Sequence, residues 1–221
     1  MWNQIIGHNG DEANKQMLTQ ADKAIIFDFG NVLLRWEPRR LFQRSFPEGP
    51  QAVDAFMHEI GFAEWHLEQD RGRPFAEAIA EGSAKFPQYA HVFPDYDTCY
   101  EDAVAGPIND TVEILRRLKQ AGYPLYGLSN YPAEKFSLAR QKYAFMAWFD
   151  DILISGAVGL VKPDPAIFRL LLTRIGRTAQ SCIFIDDSRP NIDTAQELGF
   201  TAIHFTSPEA LEDELGVLGI L

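Results

Sequence analysis

Polar side chains that can bind phosphate or metal follow apolar runs of the chain at several separate places. They comprise three carboxylates, a hydroxyl, an amide and an ammonium group: Asp28, Ser129, Asn130, Lys162, Asp186 and Asp187. Taken singly, each has an ordinary explanation as a helix cap, a turn or a surface loop. Gathered at one site, three carboxylates would repel one another unless a divalent cation or a lysine neutralised them. The set therefore predicts phosphate or metal chemistry if the fold brings its members together.

The fold that would bring them together is indicated by alternating strand and helix patterns. Short apolar, β-rich runs occur at residues 24–29, 124–129, 151–155, 181–186 and 201–205. Helical patterns that begin near proline or aspartate, and mostly end in glycine, occur at residues 110–122, 132–145, 164–176 and 189–199. This alternation is typical of right-handed βαβ units in a parallel, doubly wound sheet. Because such sheets bind ligands beyond the carboxyl ends of their strands, the polar set is expected at one edge.

The interval from Arg39 to about Gly106 breaks the alternation. Its segments at residues 41–46, 52–69 and 74–86 are helical in pattern, and no convincing strand occurs among them. We interpret this interval as a helical cap inserted after the first strand. The predicted division, with boundaries placed at proline and glycine, is a core at 22–37 and 108–221, a cap at 38–107 and an N-terminal extension at 1–21.

Composition narrows the class of protein further. The 221 residues are 46% hydrophobic and 23% charged, which is close to the globular average and excludes collagen-like, coiled-coil and wholly disordered chains. No apolar run approaches the roughly 18 residues of a membrane span, and the first twenty residues are too polar for a signal peptide. Only Cys99 and Cys182 are present, too few for a disulfide framework or a structural zinc site. We expect a cytoplasmic protein with no membrane partner.

The net charge of the chain limits the kinds of ligand that it is expected to bind. Twenty Lys and Arg against 31 Asp and Glu give 20 − 31 = −11 with histidine neutral, so nucleic acid is not expected as a partner. The same charge repels a small anion at long range, so phosphate chemistry needs a local cation.

Four sequence motifs in order resemble those of the haloacid dehalogenase (HAD) superfamily. They are F-D-F-G-N-V-L (27–33), L-S-N (128–130), V-K-P-D-P (161–165) and I-D-D-S-R-P-N (185–191). The resemblance covers nearly the whole chain, from about residue 22 to 215. Within the superfamily the chain is similar to phosphatases with a D-x-G-N-V-x motif, namely the α-D-glucose-1-phosphate phosphatase-like proteins and the phosphatase half of soluble epoxide hydrolases.

The resemblance implies a fold and an activity. The fold would be α/β, a Rossmann-like three-layer core with a parallel sheet plus an inserted C1-type helical cap. The activity would be Mg²⁺-dependent hydrolysis of a small phosphomonoester, with a sugar phosphate favoured, through an aspartyl-phosphate on Asp28. The ligand would then be a small phosphorylated metabolite, and we expect a monomer or homodimer. Ser129 and the backbone of Asn130 would hydrogen-bond the phosphoryl oxygens, and Lys162 would stabilise their charge and that of the nucleophile. The implied ligands of Mg²⁺ are Asp28, the Gly30 carbonyl, Asp187 and, directly or through water, Asp186.

One departure from the family pattern concerns the proton donor. Most phosphatases of this superfamily carry a second aspartate two residues after the nucleophile as general acid and base, and this chain has Gly30 there. The α-D-glucose-1-phosphate phosphatase-like branch shares this glycine, so activity is still expected. Without that acid, good leaving groups such as sugar 1-phosphates should be favoured. Glu37 is our candidate donor, although a solvated residue beside Pro38 is the simpler interpretation of it.

Three other functions remain open from the sequence. A 2-haloacid dehalogenase also lacks the second aspartate, but such enzymes usually have neutral residues where Asp186 and Asp187 stand. A serine hydrolase would use Ser129, Asp186 and His204, yet the nucleophile motif G-x-S-x-G fails because residue 131 is Tyr. A catalytically weak protein that binds a phosphorylated ligand is the third alternative.

Overall fold

The computed structural model describes residues 23–221, so the predicted N-terminal extension lies outside the described residues. The strands are β1 (Ala24–Phe27), β2 (Leu34–Trp36), β3 (Val104–Pro107), β4 (Leu125–Ser129), β5 (Asp151–Ile154), β6 (Cys182–Asp186) and β7 (Thr201–His204). The α-helices are α1 (Pro50–Ile60), α2 (Phe62–Asp70), α3 (Phe75–Lys85), α4 (Asp95–Thr98), α5 (Tyr100–Ala103), α6 (Asn109–Gln120), α7 (Ala133–Lys142), α8 (Pro165–Ile175), α9 (Arg189–Glu197) and α10 (Pro208–Val217). Short 3₁₀ turns connect several of them.

Five of the strands form a parallel sheet in the order β5-β4-β1-β6-β7. The central strand β1 pairs with β4 through Ile25 and Leu125, and with β6 through Ile25 and Ile183. All five strands of this sheet were predicted from their apolar runs, and the predicted α/β class with a parallel Rossmann-like sheet is confirmed. The order places the carboxyl end of β1 between those of β4 and β6.

Apolar side chains cover both faces of the sheet. Ile25 and Phe27 of β1 belong to one core cluster, and the alternate residues Ala24 and Ile26 belong to another. All four are fully buried, because successive side chains of a strand point to opposite faces and helices pack on both. The result is the three-layer arrangement that makes the first strand a continuous apolar run in the sequence.

A second, two-stranded antiparallel sheet joins the ends of the helical insertion. Leu34 pairs with Pro107, and Trp36 pairs with Val104. The prediction that the interval from residue 39 to 106 contains no strand was therefore wrong at its end, where β3 lies. The strand is only four residues, Val-Ala-Gly-Pro, and has no alternating pattern. Its pairing with β2, far away in sequence, is what defines it.

Three further local predictions differ from the structure. The helix predicted over residues 52–69 is broken at Gly61, whose positive φ of 65° ends α1 and begins α2. The helical pattern at residues 41–46 folds as 3₁₀ turns, which use the same apolar spacing in shorter pieces. Helix α10 was not predicted, although Ser207 caps it by accepting a hydrogen bond from the backbone of Ala210. Within residues 23–221, no helix has both the length and the apolar character needed to cross a bilayer.

Candidate active site

The carboxylates of Asp28, Asp186 and Asp187 meet at the carboxyl end of the central strands. Asp28 follows β1 directly, Asp186 ends β6 and Asp187 follows it. One carboxylate oxygen from each lies within 4.8 Å of the others. Asp28 and Asp186 are buried, whereas Asp187 is partly exposed. The sheet order is responsible, since β1 and β6 are hydrogen-bonded neighbours that run in the same direction.

Lys162 lies in the loop after β5 and forms ion pairs with two of these carboxylates. Its Nζ lies 2.9 Å from Oδ1 of Asp28 and 2.6 Å from Oδ2 of Asp186. Nζ also donates to the backbone carbonyl of Leu128 at 2.9 Å. The lysine is buried, with a side chain 1% exposed. A buried ammonium with three acceptors is a fixed positive charge beside the nucleophile of the predicted reaction.

The loop that carries Lys162 is tied to the end of β4 by Asn130. The Asn130 side chain donates to the carbonyl of Lys162 at 3.0 Å and accepts from its backbone N–H at 2.8 Å. The Asn130 side chain, predicted to lie at this edge of the sheet, therefore positions the lysine. Ser129 lies next to it, buried, with its Oγ 3.4 Å from the carbonyl of Asn130. Such a long contact leaves the hydroxyl available to a ligand.

Asp186 is held on its other side by the start of α9. Asn191 donates to both carboxylate oxygens, at 2.9 and 3.0 Å, and the backbone N–H of Ser188 donates to Oδ1 at 2.8 Å. Four hydrogen bonds therefore fix this buried carboxylate, counting Lys162 once and Asn191 twice. Sequence reasoning assigned no role to Asn191, although it is the last residue of the motif I-D-D-S-R-P-N.

A cavity of about 380 Å³ opens above the cluster. Its lining contains Asp28, Gly30, Ser129, Asn130, Lys162, Pro163, Ser188, Pro190 and Asn191. All predicted site residues except Asp186, Asp187 and Glu37 line this cavity, and the first two belong to the adjoining carboxylate cluster. The structure therefore brings together residues from four loops that span more than a hundred positions in the chain.

Glu37 does not join this group. Its Oε2 accepts from Nε of Arg40 at 2.5 Å, and the two side chains are 44% and 43% exposed. It does not line the cavity above the carboxylates, nor a second, smaller cavity between the core and the cap helices. The short ion pair directs the carboxyl toward the first 3₁₀ turn of the cap, Pro38–Leu41.

The cluster has more negative than positive charge, and the pKa values of its members reflect this imbalance. Burial raises the pKa of Asp28 to about 7; Lys162 lowers it, and repulsion by Asp186 and Asp187 raises it. Burial, with Asp186, also raises the pKa of Asp187 above its ordinary value. Burial alone would lower the pKa of Lys162, but Asp186 and Asp28 outweigh it and raise the pKa. One ammonium group does not balance three carboxylates, so a further cation would be stabilised here.

The donor set fits a hard divalent cation such as Mg²⁺. Carboxylate and carbonyl oxygens are the ligands that Mg²⁺ prefers, together with water and substrate phosphate. Asp28, Asp186 and Asp187 supply carboxylate oxygens, and Gly30, two residues after Asp28, lines the cavity above them. The cluster that these described residues form contains neither cysteine nor histidine, which disfavours zinc and softer metals.

A second cavity, of about 180 Å³, lies between the core and the cap helices. Its lining contains Gly30, Leu34, Arg35, Trp36, His66, Asp70, Tyr100, Val104, Asn130 and Tyr131. Because both cavities include Gly30 and Asn130, the second adjoins the first. Its walls are mostly aromatic and apolar. The side chains of Arg35, His66 and Asn130 are polar, and Asp70, on α2, is the one acid in this lining and is buried.

The groups that a serine hydrolase would need are engaged elsewhere. Nε2 of His204 lies 3.0 Å from the backbone carbonyl of Asp187, and Asp186 is bonded to Lys162 and Asn191. No contact among the described residues joins His204 to Ser129. The arrangement therefore does not support the serine-hydrolase alternative.

Comparisons with known proteins agree with this geometry. A family model described as haloacid dehalogenase-like hydrolase matches residues 23–199. A sesquiterpene phosphatase of Aspergillus oryzae is 28% identical over 193 residues, which cover 87% of this chain and 94% of that protein. Acyl-CoA dehydrogenase family member 10 of Mus musculus is 39% identical over 219 residues, covering 89% of this chain but only 19% of that longer protein.

The fold is also found among solved structures. A HAD family enzyme from Bacteroides thetaiotaomicron, solved with magnesium and inorganic phosphate, superimposes with a TM-score of 0.68 at 22% identity. The match covers 83% of this chain and 94% of that one. A dehalogenase structure matches with a TM-score of 0.64 at 18% identity, and the match covers 88% of this chain and 96% of that one. At these identities both likenesses show the fold alone.

Proposed function

The chain belongs to the haloacid dehalogenase-like hydrolases, and on that premise we propose that it is a Mg²⁺-dependent phosphatase acting on a small phosphomonoester through an aspartyl-phosphate on Asp28. The observation that carries the proposal is the cluster of Asp28, Asp186 and Asp187 around Lys162 at the end of the central strand. Two supporting facts are a phosphatase relative that this chain matches over almost its whole length and a magnesium and phosphate complex of the same fold.

Asp28 would act as the nucleophile. One of its carboxylate oxygens would attack phosphorus as the alcohol leaves, and water would then hydrolyse the aspartyl-phosphate. Oδ1 is already bound to Lys162 at 2.9 Å, which fixes the orientation of the carboxylate. Since burial raises the pKa of Asp28 to about 7, the carboxylate needs added positive charge to be fully ionised at neutral pH.

The phosphoryl group would occupy the cavity of about 380 Å³ above the cluster. Lys162 would offset the charge on its oxygens, and the Ser129 hydroxyl and the Asn130 backbone N–H would donate hydrogen bonds to them. Mg²⁺ held by Asp28, Asp186, Asp187 and the Gly30 carbonyl would neutralise the same oxygens and keep the nucleophile ionised. Lys162 and the bound Mg²⁺ would be the local cations that phosphate chemistry needs in a chain of net charge −11.

The leaving group would occupy the cavity beneath the cap. Its volume of about 180 Å³ is slightly larger than the roughly 150 Å³ cavity known to hold benzene, so a leaving group of about one ring fits. Aromatic walls suit the apolar face of a sugar ring, which keeps a sugar phosphate among the candidates. They suit an aryl or short isoprenoid alcohol equally well, and the phosphatase relative is named a sesquiterpene phosphatase.

The test is release of inorganic phosphate from sugar phosphates, aryl phosphates, short isoprenyl phosphates and p-nitrophenyl phosphate, with Mg²⁺ or with EDTA. We expect release that requires both Mg²⁺ and Asp28 and is lost in Asp28→Asn. The matched control is Asp54→Asn, which changes a half-exposed carboxylate paired with Arg39 on the cap surface. This control should retain the activity.

Two outcomes would contradict the proposal. Phosphate release that persists in Asp28→Asn would remove the aspartyl-phosphate mechanism. No release from any compound, together with halide release from 2-haloacids, would instead establish the dehalogenase alternative. Trapping labelled phosphate on Asp28 in acid-quenched enzyme would identify the intermediate directly.

A further inference from the structure

The proposed reaction needs a proton donor that the core does not supply at the expected place. An alcohol that leaves phosphorus must gain a proton unless it is very acidic, and the water that follows must lose one. Position 30, which faces both cavities, is glycine. A Cβ there would meet no atom within 4 Å, so the position is open and its missing side chain leaves space. An acid from another element can therefore approach this point.

Asp70, the last residue of α2, reaches the same space from the cap. It is 6% exposed, and it lines the cavity that also contains Gly30 and Asn130. Among the described residues its Oδ1 has no hydrogen-bond partner, and its Oδ2 lies 3.7 Å from Nε2 of His66. A buried carboxyl oxygen without a partner is unusual and costly, so it calls for an explanation outside stability.

The surroundings of Asp70 favour its protonated form. Burial, with repulsion by Asp28, raises its pKa to about 7, and attraction by Lys162 opposes this. The carbonyl groups at the end of α2 also disfavour a negative charge there. Burial lowers the pKa of its neighbour His66 to about 4, so that imidazole is neutral and brings no opposing charge. The titratable or charged groups that face Asp70 across the cavity or interact with its charge are His66, Asp28, Lys162, Arg35, Tyr96, Tyr100 and Tyr131.

We propose that Asp70 is the general acid and base of the reaction, delivered by the cap in place of the side chain absent at position 30. This inference rests on the proposed phosphatase function. It assigns the role that Glu37 does not fill, since that residue is paired with Arg40 and lies outside both cavities.

Asp70 would transfer one proton in each of the two steps. As Asp28 attacks phosphorus and the bond from phosphorus to the alcohol oxygen breaks, the Asp70 carboxyl gives its proton to that oxygen and becomes a carboxylate. In the second step Asp70 takes a proton from the attacking water. The bond between phosphorus and Asp28 then breaks, its electron pair returns to Asp28, and phosphate leaves with Asp70 protonated again.

The test compares two substrates in one variant. For a simple alkyl phosphate, whose leaving group needs a proton, Asp70→Asn should lower kcat/KM by about 100-fold or more. For p-nitrophenyl phosphate, whose leaving group departs without one, kcat/KM should fall less than about tenfold. The ratio of the two values is the readout, because it does not depend on the fraction of the variant that folds.

The matched control is Glu68→Gln, which changes an exposed carboxylate of the same helix that pairs with Arg71. It should leave the ratio unchanged. An unchanged ratio in Asp70→Asn, whatever the size of the loss, would show a merely structural role and overturn the proposal while leaving the phosphatase function standing. Wild-type protein with no Asp28-dependent phosphate release would instead remove the function, and this proposal with it.

Discussion

At the scale of single residues, buried charge dominates this site. Lys162 is the only ammonium within ion-pair distance of Asp28 and Asp186 among the described residues, and all three are buried. Breaking a buried ion pair by removing one partner leaves an uncompensated charge, which costs far more than the loss of a surface pair. Asp70 shows the opposite case, a buried acid that has no salt-bridging Lys or Arg within the described part of the chain and is tolerated because it can remain protonated.

Replacing Lys162 should therefore destabilise the protein strongly. We expect Lys162→Met to lower the free energy of unfolding by about 3 kcal/mol or more at pH 8 in EDTA. Lys119→Met, which removes a surface pair with Asp150, should cost less than about 1 kcal/mol. Urea denaturation followed by circular dichroism measures both values. Similar small costs for the two variants would mean that the carboxylates of the cluster do not depend on Lys162 for charge compensation.

Replacing Asp70 should have a pH-dependent stabilising effect. Its pKa is raised from 3.8 to about 7 on folding, so its protonated form contributes stability at acidic pH that is lost as the pH rises through 7. Asp70→Asn, which cannot ionise, should melt higher than wild type by about 5 °C at pH 8.5, with a much smaller gain near pH 4.5. Differential scanning calorimetry in EDTA measures this. An equal gain at both pH values would show that ionisation of Asp70 is not the cause.

At the scale of elements, close packing decides where side chains can be added. Gly82 in α3 lies against Phe93, and a Cβ there would come within 2.3 Å of the ring. Gly216 in α10 has only the Leu221 carbonyl nearby, 3.9 Å from where a Cβ would lie. Alanine favours a helix over glycine at both positions by up to about 1 kcal/mol. Only packing distinguishes them.

The two alanine variants should therefore change stability in opposite directions. Gly82→Ala should lower the free energy of unfolding by about 1–3 kcal/mol, because the ring of Phe93 must move in a filled core. Gly216→Ala should raise it by up to about 1 kcal/mol. Urea denaturation measures the free energy of unfolding of both variants, and each variant is the control for the other. A stabilising Gly82→Ala would mean that the α3 interface with Phe93 is loosely packed.

At the scale of the whole molecule, the cap completes the second cavity, and the net charge affects how an anion approaches it. Asp70 and Tyr100 come from the insertion, whereas Trp36 and Tyr131 come from the core, so the cavity beneath the cap is complete only where the two meet. The net charge of −11 opposes the approach of a dianionic phosphomonoester over distances beyond the local cations.

Screening that repulsion should accelerate the capture of substrate. Raising the ionic strength from about 10 to 150 mM shortens the Debye length from about 30 to 8 Å. At saturating Mg²⁺ we expect kcat/KM for a dianionic phosphomonoester to increase by about twofold over this range. Steady-state kinetics in NaCl measure it, with kcat as the internal reference for effects on the chemical step. A decrease would show that the positive groups at the cavity dominate the long-range field.

The sequence by itself determined the parallel sheet, the order of the loops that follow its strands and six of the polar residues in or directly before those loops. It did so because buried strands are continuous apolar runs and because side chains at the ends of neighbouring parallel strands must converge. Only the tertiary structure decided the pairing of β2 with β3, the exclusion of Glu37 from both cavities and the burial of Asp70 in the cavity that Gly30 lines. The pairing of β2 with β3 and the burial of Asp70 depend on how the cap insertion packs against the core, which brings together residues distant in the chain. Local composition and periodicity carry no information about such packing.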